Sequence, residues 1–403
     1  GFIAREKPSQ GAYNDLEASV VVFDNGSDRI GIMALDLVGI DEFFLEPIRE
    51  KAASLGIKPE GMLINCSHTH CGPAVRKVRG SIRTFDEEYL QHLQDTLDSL
   101  LEEAVEDLED ARLEYSLAPC TMGINRRRKP EESEQAGMLP TPDKPIDMDV
   151  PVLQVLTPDD EVRGVVFSYA CHPTTMGGEK LGTDYPGPAR DVIREDIPGA
   201  LPIFLQGCGG DVKPRNLSER RFDSGPLEAV YEIGHELGRA VQAALCRAPE
   251  ALGEQLAASS AIAQLPARDP MTEQELQALE NGNQWEQKWA EAAQETIEEE
   301  GGLAEMLPVE VQALNIGGLV FCAMGGEICV GNGLELKQRL DDVRLWTLGY
   351  SNLLRCYVAS RGEHADGGYE VWRSFLYSWD PQPRPLGLKP ESVDVLIDTG
   401  INQ

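Results

Sequence analysis

Apolar runs in this chain stop abruptly in turns built from glycine, proline and histidine, and this repeated stop restricts the fold more than any other feature. Gly61-Met62-Leu63-Ile64 leads into Ser67-His68-Thr69-His70-Cys71-Gly72-Pro73. Val165-Val166-Phe167 leads into Ala170-Cys171-His172-Pro173-Thr174-Thr175-Met176-Gly177. The run 201–205 breaks into Gln206-Gly207-Cys208-Gly209-Gly210-Asp211-Val212-Lys213-Pro214, and the run 319–324 into Gly325-Gly326-Glu327. Short apolar runs bounded by such punctuation read as buried strands. Strands that alternate with helical patterns make α/β sheets, and α/β enzymes place their site residues where the strands end. The chain has only six histidines, and three of them stand at these stops. In an extended H-x-H pair both rings point to one face. That suits one metal ligand beside one orienting or acid–base histidine.

The rest of the chain reads as a mixed-sheet α/β fold with helices packed on the sheet and the site at the strand ends. Segments 20–23 and 30–40 form a hairpin around Asn25-Gly26. A helix covers 43–55 and closes on Gly56. A second helix, 86–108, carries Leu90, Leu93, Leu97, Leu101 and Val105 on one face and acidic residues on the other. Further strands are expected at 112–117, 152–156, 162–170, 201–205, 309–316, 319–324, 345–348, 356–359 and 393–397, and helices at 188–197 and 227–245. Residues 128–151 read as a surface loop. The acidic stretch 272–300 is a helical excursion with Trp285 and Trp289 one turn apart; it is a solvated helix, a lid or an oligomer contact. There is no internal repeat, and the whole of 1–403 is expected to form a single domain.

Charge and cysteine usage exclude several classes. With 68 acidic against 36 basic residues the formal net charge is -32, so nucleic acid and anionic membrane surfaces are poor partners. No apolar run approaches the roughly 20 residues of a membrane span. The chain begins at Gly1 without a signal peptide pattern, so removal of a leader stays open and the compartment with it. None of the nine cysteines forms a C-x-x-C pair, which argues against a cysteine-rich zinc knuckle and for free buried thiols. A soluble, cytoplasmic chain fits such thiols better than a secreted one. Cys208, flanked by glycines, is a candidate nucleophile.

Several of these strand ends can converge: His68 and His70, Arg126, His172, Gly209 to Asp211, Glu327 and Tyr357. Two or three histidines plus a carboxylate suit a catalytic zinc with a position left for water. In sequence order, His68-Thr69-His70-Cys71-Gly72-Pro73, Ile124-Asn125-Arg126, His172-Pro173-Thr174-Thr175-Met176, Gly210-Asp211-Val212-Lys213-Pro214, Gly326-Glu327 and Gly349-Tyr350-Ser351-Asn352 with Tyr357 and Tyr369-Glu370 resemble the catalytic domain of the neutral/alkaline, non-lysosomal ceramidases, which are zinc amidases. The resemblance spans residues 68–369. It implies zinc ligands His68, His172, Glu327 and Tyr357, with His70, Arg126 and Tyr369 around the attacking water and the scissile carbonyl. Zinc lowers the pKa of a bound water from about 15.7 toward roughly 7. His70 then relays the proton, and Arg126 and Tyr369 donate to the oxyanion. Asp184 and Asp211 either orient these groups or cap turns.

Two departures shape the expected substrate. Where the family has a serine in Gly-Asp-Val-Ser-Pro, this chain has Lys213, so a serine nucleophile is ruled out and a cation stands near the site. Pointing into the pocket, Lys213 favours a polar or anionic group. Family ceramidases also carry a further C-terminal β-sandwich domain and apolar lipid-facing surfaces, whereas this chain stops near the catalytic domain and is very acidic. The expectation is an amidase for a small, soluble N-acyl compound or acylated amino sugar rather than ceramide. An esterase, lactonase or carbohydrate-active hydrolase on the same metal site is the alternative, and an inactive metal-binding homologue is another. Oligomerisation stays open, as does manganese or iron in place of zinc.

Overall fold

Asn25 makes the first predicted turn: its Oδ1 accepts from the backbone N–H of Ser27 (3.0 Å) and Asp28 (2.8 Å). Around it Ala18–Asp24 and Arg29–Leu35 pair antiparallel, and Met62–Cys66 then joins Arg29–Leu35 in parallel. The structure is a computed structural model that describes residues 7–76, 86–377 and 383–403. Its architecture is mixed α/β.

Two larger sheets accompany this three-stranded one. The five-stranded sheet runs in the order Leu201–Gln206, Val162–Tyr169, Asp149–Leu156, Arg112–Pro119 and Glu250–Ala251, with only its first pair parallel. The four-stranded sheet runs Leu256–Pro266, Met306–Ile316, Leu319–Met324 and Leu345–Leu348, and here the last pair is parallel. One apolar cluster takes Ile32 and Leu63 from the first sheet, Leu153, Val166 and Ile203 from the second, and Leu314, Phe321 and Trp346 from the third. Helices cover the outer sides. Glu42–Ser54 and Glu87–Glu106 lie on the first sheet, Pro186–Asp196 and Leu227–Leu245 on the second, and Val330–Arg339 and Ser392–Ile401 on the third.

Asn65 stitches the three sheets at their shared rim. Its side chain accepts from the Gln206 N–H (2.7 Å) and donates to the Gly349 carbonyl (2.9 Å), so one buried amide ties the ends of Met62–Cys66, Leu201–Gln206 and Leu345–Leu348 together. A buried amide with both ends satisfied fixes relative position better than apolar contact does, because an unmet donor costs about 1–3 kcal/mol.

One expected element needs correction, and two others were not foreseen. Residues 393–397 are not a strand: they lie in the helix Ser392–Ile401, with Val393, Leu396 and Ile397 buried at helical spacing. A five-residue apolar run does not distinguish the two periods. The helix Val330–Arg339 is hidden from sequence by Gly331 and Gly333; a Cβ on Gly333 would stand 3.0 Å from that of Cys208. The strand Leu256–Pro266 is mostly alanine and serine, with Ile262 its single β-branched residue. The acidic stretch holds two helices, Glu273–Glu280 and Gln284–Glu300, both opened by capping boxes. Their solvent face is acidic as expected, but Trp289, Ala290 and Ala293 are fully buried against Leu307 and its neighbours. Eight of the nine cysteines are buried and all are free. Cys208 is among the buried ones, and burial pushes its thiol pKa up, the opposite of an activated nucleophile. No helix among the described residues is long and apolar enough to cross a membrane.

Candidate metal centre

The strand carrying the first histidines ends at Cys66, and His68 adopts a left-handed backbone with φ 66°. The H-x-H pair therefore does not sit on extended chain. The rings of His68 and His70 still meet, with centroids 4.8 Å apart at 83°. The unusual φ is held by backbone bonds on either side: Ser67 N–H donates to the Leu35 carbonyl (2.8 Å) and His68 N–H to that of Leu37 (2.9 Å). The His68 Nδ1 lies 2.5 Å from the Val38 carbonyl. His172 is seated in the same manner. Its N–H donates to the Val212 carbonyl (3.0 Å), and its Nδ1 lies 2.7 Å from the Gly209 carbonyl. A carbonyl only accepts, so each ring carries its proton on Nδ1 and turns the Nε2 lone pair toward the centre.

Glu327 and Tyr357 reach that centre from the parallel pair Glu327–Ile328 and Tyr357–Val358, where they stand in register. The Glu327 Oε2 lies 3.2 Å from His68 Nε2 and 3.1 Å from His172 Nε2. The Tyr357 hydroxyl lies 3.1 Å from His172 Nε2, and His70 Nε2 lies 3.1 Å from His68 Nε2. The donor atoms of His68, His70 and His172 all fall within 4.8 Å of one another. Burial, then the charge of Arg126, pulls the His172 pKa down to about 4, and burial with the neighbouring His68 and His172 holds His70 well below its ordinary value. Burial alone would raise the Glu327 carboxyl, but the His68 and His172 rings beside it hold it well below the usual range. Three imidazoles, a carboxylate held in its ionised form and a phenol gathered in one place are a donor set that fits a zinc ion.

Arg126 forms the second half of the site. It follows the strand Gly123–Asn125, which pairs with Val212–Pro214. Its Nε donates to Glu370 Oε1 (2.8 Å) and its Nη2 to the Tyr357 hydroxyl (3.2 Å). The guanidinium carbon lies 5.9 Å from the Tyr369 ring, and the Tyr357 and Tyr369 rings meet at 5.4 Å. Arg127 donates to the other Glu370 oxygen and, at 2.6 Å, to the Gly367 carbonyl. Lys213, on Val212–Pro214, is half-buried, with its Nζ 5.2 Å from the centre of the Phe222 ring.

Asp184 and Asp211 act on backbone. Asp184 accepts from Thr175 N–H (2.9 Å), Met176 N–H (3.2 Å) and Tyr185 N–H (2.8 Å), fixing the turn after His172. Asp211 accepts from Asn125 Nδ2 (2.8 Å) and from the N–H of Val330 (2.6 Å). Asp211, Cys329 and Glu363 form a second buried group of donor atoms. There Arg127 Nε, 3.2 Å from Glu363, already supplies positive charge. Burial and the Asp211 charge push the Glu363 carboxyl up to about 7. Two residues escaped notice as site members. Glu370 holds both Arg126 and Arg127, and Tyr350 places its hydroxyl 3.3 Å from His172 Nδ1. Neither type nor spacing sets them apart in the sequence; their signal was membership of the matching segments Gly349-Tyr350-Ser351-Asn352 and Tyr369-Glu370, where no role was given to them.

No family model and no curated protein matches this chain by sequence. Comparison with solved structures does find matches. The neutral ceramidase of Pseudomonas aeruginosa superposes with a TM-score of 0.74 over 99% of this chain and 70% of its own, at 18% identity. A structure described as ceramidase complexed with C2 gives 0.76 over 100% and 71%, at 17% identity. At such identity the likeness is one of fold. The chain has the ceramidase-like α/β fold, with the predicted histidines, Glu327 and Tyr357 gathered at its strand ends.

Proposed function

We propose that this protein is a zinc-dependent hydrolase that cleaves an amide bond. The observation carrying the reading is the convergence of His68, His172, Glu327 and Tyr357 on one point, with His70 and Arg126 beside it. His68, His172, Glu327 and Tyr357 would hold the metal, whose chemistry is to acidify water and polarise a carbonyl. His70 takes the proton of the attacking water as the oxygen bonds to the carbonyl carbon. It returns that proton to the leaving nitrogen when the C–N bond breaks, giving a carboxylate and an amine. Arg126, locked by Glu370, and the Tyr369 hydroxyl donate to the developing oxyanion. The very acidic surface suits a soluble, polar N-acyl compound or an acylated amino sugar better than ceramide.

The ligand set is tested by zinc analysis of His172→Ala and Glu327→Ala. Each is expected to lower zinc from near one per chain to a small fraction. Full stoichiometry in either variant contradicts the assignment.

A further inference from the structure

One short stretch of this chain is fastened more firmly than its burial requires. Gln10 to Ala12 are exposed and Tyr13 and Asn14 only half-buried, yet hydrogen bonds tie the stretch to residues 179–184 along its length. Gln10 N–H donates to the Glu179 carbonyl (2.8 Å), Tyr13 N–H to that of Leu181 (2.9 Å), and Leu181 N–H back to that of Gly11 (2.8 Å). Asn14 Nδ2 donates to Thr183 Oγ1 (2.7 Å), while its Oδ1 accepts from Thr183 N–H (3.0 Å). The Tyr13 hydroxyl accepts from Asp184 N–H (2.8 Å), and its ring lies so close to Gly182 that a Cβ there would collide with it. The stretch adds little apolar burial; what it does is hold 181–184 in place.

The same four residues grip both histidine segments. Thr69, fully buried between His68 and His70, donates through Oγ1 to the Gly182 carbonyl (2.8 Å), and Gly182 N–H donates to the carbonyl of Cys71 (3.1 Å). Just past His172, Thr175 N–H (2.9 Å), Thr175 Oγ1 (2.7 Å) and Met176 N–H (3.2 Å) all donate to the Asp184 carboxylate. Asp184 keeps a left-handed backbone, φ 58°, which a non-glycine residue holds only where its surroundings dictate it. Its N–H is set by Tyr13 and its carboxylate by the turn after His172, so a displacement at one reaches the other.

We infer that Tyr13 and Asn14 are positioning residues for the metal centre: by clamping 181–184 they fix the spacing between the His68–His70 segment and the His172 segment. The inference rests on the proposed metal-site reading and adds the part of the chain that keeps that site in shape. Neither side chain is a ligand or a catalytic group; both act through 181–184.

The test measures zinc and cobalt binding by the metal-free protein for wild type, Tyr13→Phe, Asn14→Ala and Asn25→Ala, at a temperature where all are folded. Asn25→Ala loosens the turn at the opposite end of Arg29–Leu35 from the histidines, so it costs stability away from the clamp. Tyr13→Phe and Asn14→Ala are each expected to weaken zinc binding about tenfold, the effect of disturbing groups behind a ligand. They should also change the visible spectrum of bound cobalt, which reports ligand geometry. Asn25→Ala should lower Tm and leave affinity and spectrum unchanged. Wild-type affinity and spectrum in both Tyr13→Phe and Asn14→Ala overturn the inference, whatever their Tm. So does an equal loss of affinity in Asn25→Ala, which would make the effect one of general stability. Hydrogen exchange of the metal-free protein separates this from failure of the metal reading. In Tyr13→Phe the Thr175 and Met176 amides should exchange about tenfold faster, with those of Leu227–Leu245 unchanged. Should wild type bind no metal, that faster exchange sustains the clamp and unchanged exchange removes it.

Discussion

His172 shows how much a single residue here depends on its seat. Its backbone is fixed by Val212, its Nδ1 by Gly209, and its Nε2 is left to face Glu327 and Tyr357. That the histidines at strand ends would come together was legible from type and punctuation. The manner of their convergence was not, because the left-handed φ of His68 follows from contacts with Leu35 and Leu37, far away in sequence. Tyr357 as a ligand came only with the family resemblance, since a phenol is an uncommon partner for zinc. Two residue-level outcomes follow from the geometry. Arg126→Ala and Tyr369→Phe should each lower kcat/KM by about 10²–10³ with zinc content unchanged, as expected for lost oxyanion donors; steady-state kinetics within about twofold of wild type would exclude that role. Lys213 carries a cost of the opposite sign. Its pKa in the folded chain, about 8, lies below the ordinary 10.5, so the unfolded chain binds the extra proton and the charged lysine destabilises the fold below about pH 8. Lys213→Met should therefore raise Tm at pH 7, by an amount that shrinks as pH climbs from 8 toward 10.5. A gain independent of pH in calorimetric scans would contradict the burial of that charge.

At the scale of elements, the Gly-rich turn after Leu201–Gln206 acts as a spacer. A Cβ on Gly209 would lie 2.6 Å from the N of Cys171, and one on Gly210 would lie 2.8 Å from the carbonyl oxygen of Glu327. The two glycines let the strand ends bearing His172 and Glu327 close on each other, a close approach that glycine alone permits. Gly210→Ala should thus weaken zinc binding by about 10- to 100-fold without touching a ligand, the usual effect of disturbing groups behind a metal. Competition with a chromophoric chelator measures this; unchanged affinity would mean the turn is merely a loop. Elements with strong periodicity, such as Glu87–Glu106 and Leu227–Leu245, were readable because their buried faces recur at helical spacing. Ser392–Ile401 was misread as a strand because five apolar residues fit both periods, and Val330–Arg339 was missed because its glycines serve packing against Cys208. In both, tertiary contact overrides local propensity.

Across the whole molecule, three sheets contribute one rim, and Asn65 is the tie that makes the rim common to all of them. That arrangement was beyond the sequence, which shows strands and stops but not which stops meet. The α/β class itself was legible, and the ceramidase-like fold agrees with it. The central claim is that the rim holds a metal that works on an acyl carbonyl. Its most direct measurement is metal analysis of the purified protein coupled to hydrolysis of N-acyl, O-acyl and glycosidic chromogenic substrates before and after chelation. The account predicts about one zinc per chain and amide cleavage that is lost with the chelator and restored by zinc. Absence of bound metal after zinc loading, or amide cleavage indifferent to its removal, would contradict it.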